Sequence, residues 1–437
     1  YVAAYYGILK LGATVVNFSP LYTVDELAHQ VEDSETRLLF TISATALLPT
    51  ALKVLEKSGL ERLVVGSVAG ALPPAKSLFY RLFRGSEVAR KPDDSRITAF
   101  SELIANNGEC VAPTIEPEHD VALIQYTGGT TGTPKGAMLT HQNLSANARQ
   151  VALLDPQLGE VTDRIVGVLP FFHVFANTCV LNRTVVTGGE IVMLPRFDAG
   201  QTLAAIERTG ATALPGVPTM YQALLDHPKT ASTDFSSLRV CISGGAPLAA
   251  ELKQRFEKIT GATLIEGYGL TETTAATHVN RPEANKLGTV GQTLPDVEVK
   301  IAADGEILVR GPNIMKGYFN REDATNEAIE SDGWFHTGDI GYFDDDGFLF
   351  LVDRAKDMVL RGGENVYSAE VEAAVYEHPA VAEAAVFAVP DDRLGEAVGV
   401  AVVLLDGDFC TADELRDHTR QLIASFKVPE YVWFLDQ

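Results

Sequence analysis

Sixteen residues, YTGGTTGTPKGAMLTH at 126–141, hold four glycines, five threonines and a single lysine. So small and polar a stretch buries little apolar surface, yet it sits between two apolar runs. Glycines let the backbone turn sharply and approach a ligand with its N–H groups free. Thr127, Thr130, Thr131 and Thr133 add hydroxyl donors, and Lys135 adds a mobile positive charge. That chemistry suits a polyphosphate. The spacing is not that of the P-loop, because Lys135 follows Pro134 and Gly136 stands where that motif needs Ser or Thr. The alternative is a glycine hairpin with no ligand.

Three further stretches carry usable chemistry. In EGYGLTETT (266–274), Tyr268 lies between glycines at a strand end, where its ring could cover a flat base. Thr271 and Glu272 offer oxygen ligands of the kind magnesium takes. A solvated strand-end loop is the plainer alternative. In GWFHTGDIG (333–341) and DRAKDMVLRGGENVYSAEVE (353–372), Asp339 could accept both hydroxyls of a ribose and Arg354 could donate to the same sugar or to phosphate. Singly, such residues are usually just solvated. His173, in LPFFHVFAN, is flanked by Phe171, Phe172 and Phe175, company more typical of a core histidine than of a catalyst.

The elements that must hold these residues alternate between strand and helix up to about residue 280. VALIQYT (121–127) reads as a buried strand, and GAML after the glycine loop reads as another, so the loop joins two strands. LRVCISGG (238–245), an amphipathic helix with Leu248, Leu252, Phe256 and Ile259 on one face, and ATLIEGYG (262–269) form a strand–helix–strand run. That order implies parallel pairing, with ligand loops gathered at the carboxyl ends of the strands. From about 288 the texture changes. AADGEILVRG and FDDDGFLFLVDR place Asp-Gly between alternating apolar runs, which predicts hairpins. Beyond 353 a helix (368–377), two strands (381–388 and 397–405) and a helix (411–424) predict a small α+β unit. AKSLFYRLFRGSEVARK (75–91) interleaves Leu78, Phe79, Tyr80, Leu82 and Phe83 with Lys76, Arg81, Arg84, Arg90 and Lys91. It reads as a surface helix covering a subdomain or, more sharply, as an interfacial helix touching anionic lipid.

Length and composition set the outer bounds. A chain of 437 residues calls for two or more folding units. A formal charge of −23 argues against general nucleic-acid binding, which wants a basic face. It leaves room for a phosphate ligand, since charges beyond ~8 Å are largely screened. Cys110, Cys179, Cys241 and Cys410 make no CxxC spacing, which fits a reducing, cytoplasmic setting without a zinc site. No apolar run approaches the roughly 18 residues of a membrane span.

Together these stretches resemble the adenylate-forming superfamily: acyl- and aryl-CoA synthetases, amino-acid adenylation domains and firefly-type luciferases. YTGGTTGTPKGAMLTH, SGGAPL, GYGLTET, GWFHTGDIG and DRAKDMVLRGGENVYSAEVE follow that family's motif order along nearly the whole chain. The resemblance implies an α/β fold: a large N-terminal domain (1–355) of two α/β subdomains plus a distorted antiparallel β-barrel (about 288–352), and a small mobile α+β C-terminal domain (356–437) hinged at Lys356. It implies a carboxylate attacking the α-phosphorus of ATP in the presence of Mg2+, then coenzyme A attacking the acyl-adenylate. Carried over by position, Thr127, Gly128, Gly129, Thr130, Thr131, Gly132, Thr133 and Lys135 would hold the β- and γ-phosphates. Glu272 would bind magnesium beside Thr271. Gly245, Ala246, Pro247 and Tyr268 would frame adenine, Glu266, Gly267 and Gly269 would also bind the cofactor, and Asp339 and Arg354 would hold the ribose. Gly362 and Gly363 lie in the loop that would meet coenzyme A. Phe171, His173, Val217, Gly244 and Gly269 would border the acid.

The chain departs from the family at both ends. It opens inside a helix, and it stops at YVWFLDQ before the family's C-terminal catalytic lysine would be expected, so both termini read as truncated and adenylation as impaired. LPFFHVFANTCVLNRTVVTGGEIVMLPRF and the 70–115 insert resemble bacterial fatty-acyl-CoA ligases of medium to long chain, with dicarboxylate and aryl acids as alternatives. A luciferase-like oxygenase and a nucleotide-binding protein without adenylation also share the motifs. The protein is expected in the cytoplasm, as monomer or homodimer, with peripheral contact at the inner face of the membrane left open.

Overall fold

The computed structural model describes residues 1–127, 134–155, 157, 159, 161–354, 357–361, 364–391 and 395–435. They form two compact units, Tyr1–Thr277 with Pro312–Glu327, and His278–Gly311 with Ala328–Gln437.

The first unit is α/β. Val121–Thr127 pairs parallel with Val15–Asn17 and antiparallel with Lys135–Thr140, and that strand pairs with Gly317–Tyr318. The two strands expected on either side of the glycine run are therefore present and pair antiparallel. Gly136 is required by packing: a Cβ there would sit 2.7 Å from Ile124 Cγ2. Thr140 then caps the His141–Ala152 helix, its hydroxyl accepting from the Asn143 N–H. A three-stranded parallel sheet, Leu38–Ile42, Arg62–Gly66 and Ile97–Ala99, packs its helices through Val31, Leu48, Val54, Leu55 and Leu63.

The main sheet of this unit has five parallel strands in the order Thr263–Tyr268, Val240–Ser243, Ala213–Gly216, Arg164–Gly167, Glu190–Met193. Its core includes Leu203, Ile206, Leu214, Tyr221, Phe256 and Leu264. The Ala250–Thr260 helix buries Leu252 and Phe256, but its last turn carries Ile259 out to 45% exposure, and Leu248 precedes the helix. Helical spacing gives a direction around the axis and not the extent of the surface opposite, so Ile259 can share the face of Leu252 and Phe256 and still be exposed. No residue of the Pro74–Phe83 helix is buried, which overturns the expectation that it covers a subdomain.

In the second unit Glu298–Ile301, Glu306–Arg310, Phe335–Phe343 and Leu349–Arg354 form an antiparallel sheet in that order, with the expected hairpins at Asp304–Gly305 and Asp346–Gly347. Where a barrel was expected, no pairing that closes this sheet occurs among the described residues. Further on, Val381–Asp391 pairs antiparallel with Gly395–Leu404, and Tyr431–Leu435 adds parallel to it. The helices Ser368–Tyr376 and Ala412–Leu422 cover this sheet through Val371, Val375 and Leu415 against Val386, Val398 and Val400. Among the described residues no helix is long and apolar enough to cross a membrane.

Candidate active site

Every residue expected to border the acid lies just past the carboxyl end of a parallel strand. Val217 follows Ala213–Gly216 by one residue, Gly244 follows Val240–Ser243, Gly269 follows Thr263–Tyr268, and Phe171 and His173 lie in the loop after Arg164–Gly167. Open α/β sheets bind ligands along this edge. Gly244 is buried against the Phe175 ring, 3.4 Å from where its Cβ would be. The neighbouring Ser243 hydroxyl is fully buried and has no hydrogen-bond partner among the described residues. Gly245, Ala246 and Pro247 form an exposed turn, Gly245 in the left-handed region at φ +79°. His173 is not a core residue: it is exposed, and its Nδ1 accepts from the Phe175 N–H at 3.3 Å.

Glu266, next to last but one in its strand, accepts from the Leu248 N–H at 3.0 Å. Burial pushes its carboxyl up to about 7, against the opposing pull of that N–H and of Lys253. Its neighbours Gly267 and Tyr268 are half-buried. Gly269 admits no side chain, since a Cβ would fall 2.0 Å from the Ala275 carbonyl oxygen.

The turn Thr271–Thr273 comes next, and it ends in strain. Thr274 is buried at φ +70°, a conformation that a β-branched residue takes only when its surroundings impose it. Its hydroxyl donates to the Asn313 carbonyl at 2.7 Å, its N–H to the Thr271 carbonyl at 3.0 Å, and its own carbonyl accepts from the Thr178 hydroxyl. Asn313, fully buried, donates to the carbonyls of Thr273 and Ala276, and Asn147 also donates to Ala276. These bonds fix the backbone on which Thr271 and Glu272 ride.

Glu272 is held twice. Its carbonyl accepts from the Met315 N–H at 2.8 Å, and its Oε1 accepts from the Tyr318 hydroxyl at 2.7 Å. Burial first, and the Glu272 carboxylate second, push the Tyr318 phenol well up, so it stays an O–H donor. Lys135 Nζ lies 5.1 Å from the centroid of the same ring. Tyr318 thus gathers the two expected phosphate-and-metal residues. The backbone of Tyr318 pairs with Ala137, two residues past Lys135. Thr127 pairs with Lys135 across the strands.

Magnesium is usually held by one or two carboxylates together with substrate phosphates. Among the described residues no three His, Cys, Asp or Glu side chains converge to hold an ion by themselves. The Glu272 carboxylate fits a cation shared with phosphate oxygens, and Lys135, on the same Tyr318 ring, fits the phosphate rather than the metal.

In the second unit Asp339 and Arg354 face each other across paired strands, with Arg354 Nε 3.3 Å from Asp339 Oδ1. Asp339 is 7% exposed, and its N–H donates to the Thr337 hydroxyl. Glu306 braces this turn, accepting from the Gly338 N–H at 2.8 Å and contacting His336 Nδ1 at 2.8 Å. Gly128, Gly129, Thr130, Thr131, Gly132, Thr133, Lys356, Gly362 and Gly363, all expected site residues, lie outside the described residues. Tyr318, Asn313 and Asn147 had no signal in the sequence beyond their polarity, because their partners lie tens of residues or more away.

The edge described is that of an α/β protein binding a ligand where its parallel strands end. The chain belongs to the AMP-binding enzyme family, whose model matches residues 1–319, and the AMP-binding enzyme C-terminal domain matches residues 370–437. It is 40% identical over 444 residues to a long-chain-fatty-acid–CoA ligase of Bacillus subtilis (strain 168), covering 98% of this chain and 79% of that protein. It is 42% identical over 330 residues to a feruloyl-CoA synthase of Amycolatopsis sp., covering 73% of this chain and 66% of that one. An ATP-bound crystal structure of MatB from Rhodopseudomonas palustris superposes with a TM-score of 0.80 at 29% identity, over 100% of this chain and 82% of the other.

Proposed function

We propose that this protein is an acid–thiol ligase that activates a fatty acid as acyl-AMP and passes the acyl group to coenzyme A. The observation that carries the reading is the likeness to the Bacillus subtilis long-chain-fatty-acid–CoA ligase over nearly the whole chain. ATP, Mg2+ and coenzyme A accompany the acid. In the first step a carboxylate oxygen bonds to the α-phosphorus while the bond to the bridging oxygen breaks, and pyrophosphate leaves. In the second the thiolate sulfur bonds to the acyl carbon and AMP leaves.

The chain's own residues position and neutralise. Lys135, with Thr127 and residues 128–133, holds the β- and γ-phosphates. Glu272 and Thr271 hold the divalent cation, which supplies charge neutralisation when bound. Gly245–Pro247 and Glu266–Gly269 frame adenine, and Asp339 and Arg354 the ribose. Phe171, His173, Val217, Gly244 and Gly269 border the acid. Lys356 is the hinge between residues 1–355 and 356–437, and Gly362 and Gly363 meet coenzyme A. Cys110, Cys179, Cys241 and Cys410 are all free, which supports a cytoplasmic location. We place the protein there as a monomer or homodimer, working at the inner face of the membrane.

The likeness to a feruloyl-CoA synthase favours aryl acids as the second reading. Assaying AMP production with saturated fatty acids of short, medium and long chain beside aryl and dicarboxylic acids separates the two. Highest kcat/KM on a medium or long fatty acid is expected. Background rates on every fatty acid, with turnover of an aryl acid, overturn the assignment.

A further inference from the structure

The Pro74–Phe83 helix is two-sided in a way its surroundings do not explain. At 100° per residue, Ala75, Leu78, Phe79, Leu82 and Phe83 share one stripe, Lys76 and Arg81 lie on the remaining face, and Arg84 follows directly after the last turn. That stripe points into solvent: Leu78 is 58% exposed, Phe79 64%, Leu82 68% and Phe83 73%. The Phe79 and Phe83 rings stack at 5.6 Å, so the aromatic surface is continuous. Contiguous apolar surface of this kind marks an interaction site.

The charges say what covers it. Residues 74–91 carry five basic side chains, Lys76, Arg81, Arg84, Arg90 and Lys91, against one acidic, Glu87, in a chain whose formal charge is −23. All five are exposed. Arg84 is paired with Glu87, and Lys91 Nζ donates to the Ile97 carbonyl at 3.3 Å. A second copy of the same face would bring Lys76 and Arg81 against their own kind. An apolar partner would leave the basic border unanswered. A surface that takes Phe and Leu a few ångströms deep and offers negative headgroups around them answers both.

We propose that the Pro74–Phe83 helix docks this protein on an anionic phospholipid bilayer, the apolar stripe among the acyl chains and Lys76, Arg81 and Arg84 among the headgroups. The proposal rests on the reading that the protein works at the inner face of the membrane, and it names the surface responsible.

The test is flotation with vesicles of equal parts phosphatidylglycerol and phosphatidylcholine, and with phosphatidylcholine alone. The protein should float with the anionic vesicles, less so as salt is raised, and stay in solution with the neutral ones. Lys76→Gln/Arg81→Gln/Arg84→Gln should weaken partitioning about a hundredfold, at roughly fivefold per basic residue near the surface. Phe79→Ser/Phe83→Ser should abolish the part of the binding that survives high salt. Because none of these residues is buried, both variants should melt with the parent. If parent and variants float equally, membrane contact stands and the helix assignment falls. If the parent floats with neither vesicle, both fall. Variants that lose an oligomer while floating like the parent mark the helix as a self-association face, which also overturns the proposal.

Discussion

The Tyr318 hydroxyl donates to Glu272 Oε1 at 2.7 Å while the same ring lies under the Lys135 ammonium at 5.1 Å. One aromatic side chain thereby orients the carboxylate proposed to hold magnesium and carries the cation proposed to hold phosphate. The two contacts can be separated. Tyr318→Phe keeps the ring and removes the hydroxyl, whereas Tyr318→Leu removes both. A hydrogen bond to a charged group contributes about 1.5–3 kcal/mol. Tyr318→Phe should therefore raise the Mg2+ concentration at half-maximal pyrophosphate release about tenfold and leave the KM for ATP near the parent's. Tyr318→Leu should raise both. A Mg2+ titration of Tyr318→Phe that overlays the parent would show that the hydroxyl does not position Glu272.

What the sequence could and could not show follows from the distance between partners. The two strands that flank the glycine run were legible because their signals, two short apolar runs, are local. Val217 came from the family resemblance, whereas the strand ends at Gly244 and Gly269 were legible for the same reason, given the parallel order that strand–helix–strand implies. Tyr318 was not, since it meets Glu272 across 46 residues and Lys135 only through sheet pairing. Asn313 and Asn147 pin the strained Thr274 turn from equally remote positions. The amphipathic pattern of 75–91 predicted a helix that the chain forms only over Pro74–Phe83, and it did not decide where the stripe points, because periodicity defines a face and not a partner.

A charge cluster at the opposite edge of the main sheet should act on stability alone. Asp163, Thr212 and Arg239 each stand one residue before a parallel strand begins. Asp163 accepts from Arg183 at 2.7 Å, from Arg239 at 3.0 Å and from the Thr212 hydroxyl at 3.0 Å, and its side chain is 5% exposed. Removing one partner of a buried pair leaves the other uncompensated, at about 3–5 kcal/mol. Asp163→Ala should lose stability by that amount in urea unfolding, while the Kd for ATP of the protein that stays folded is unchanged. A loss below about 1 kcal/mol would mean that Asp155, which also contacts both arginines, suffices by itself.

Glu266 makes stability depend on pH in an unusual direction. Burial raises its carboxyl from the ordinary 4.5 to about 7. Between those values the folded chain holds a proton that the unfolded chain has released, so stability falls as pH rises through the window and is flat above it. Glu266→Gln keeps an oxygen for the Leu248 N–H and cannot ionise. It should melt about 2–4 °C above the parent near pH 8 and with it near pH 4. A variant that melts below the parent near pH 8 would show that the Leu248 contact needs the carboxylate.

His336 has the opposite sign. It bridges Glu306 at 2.8 Å and Glu330 at 3.1 Å, and the hydrogen bond to Glu306, followed by the charges of both carboxylates, raises its imidazolium above the ordinary range. Its contribution is complete below the ordinary histidine value and is lost as pH climbs through the raised one. Glu306 also accepts from the Gly338 N–H, so the clamp steadies the residue just before Asp339. His336→Gln should therefore lower the melting temperature more near pH 6 than near pH 9, and should weaken ATP binding in the same pH-dependent way if Asp339 holds the ribose. Equal melting deficits at the two pH values would remove the ionic clamp. A pH-independent Kd beside a pH-dependent melting temperature would separate the clamp from the ribose contact.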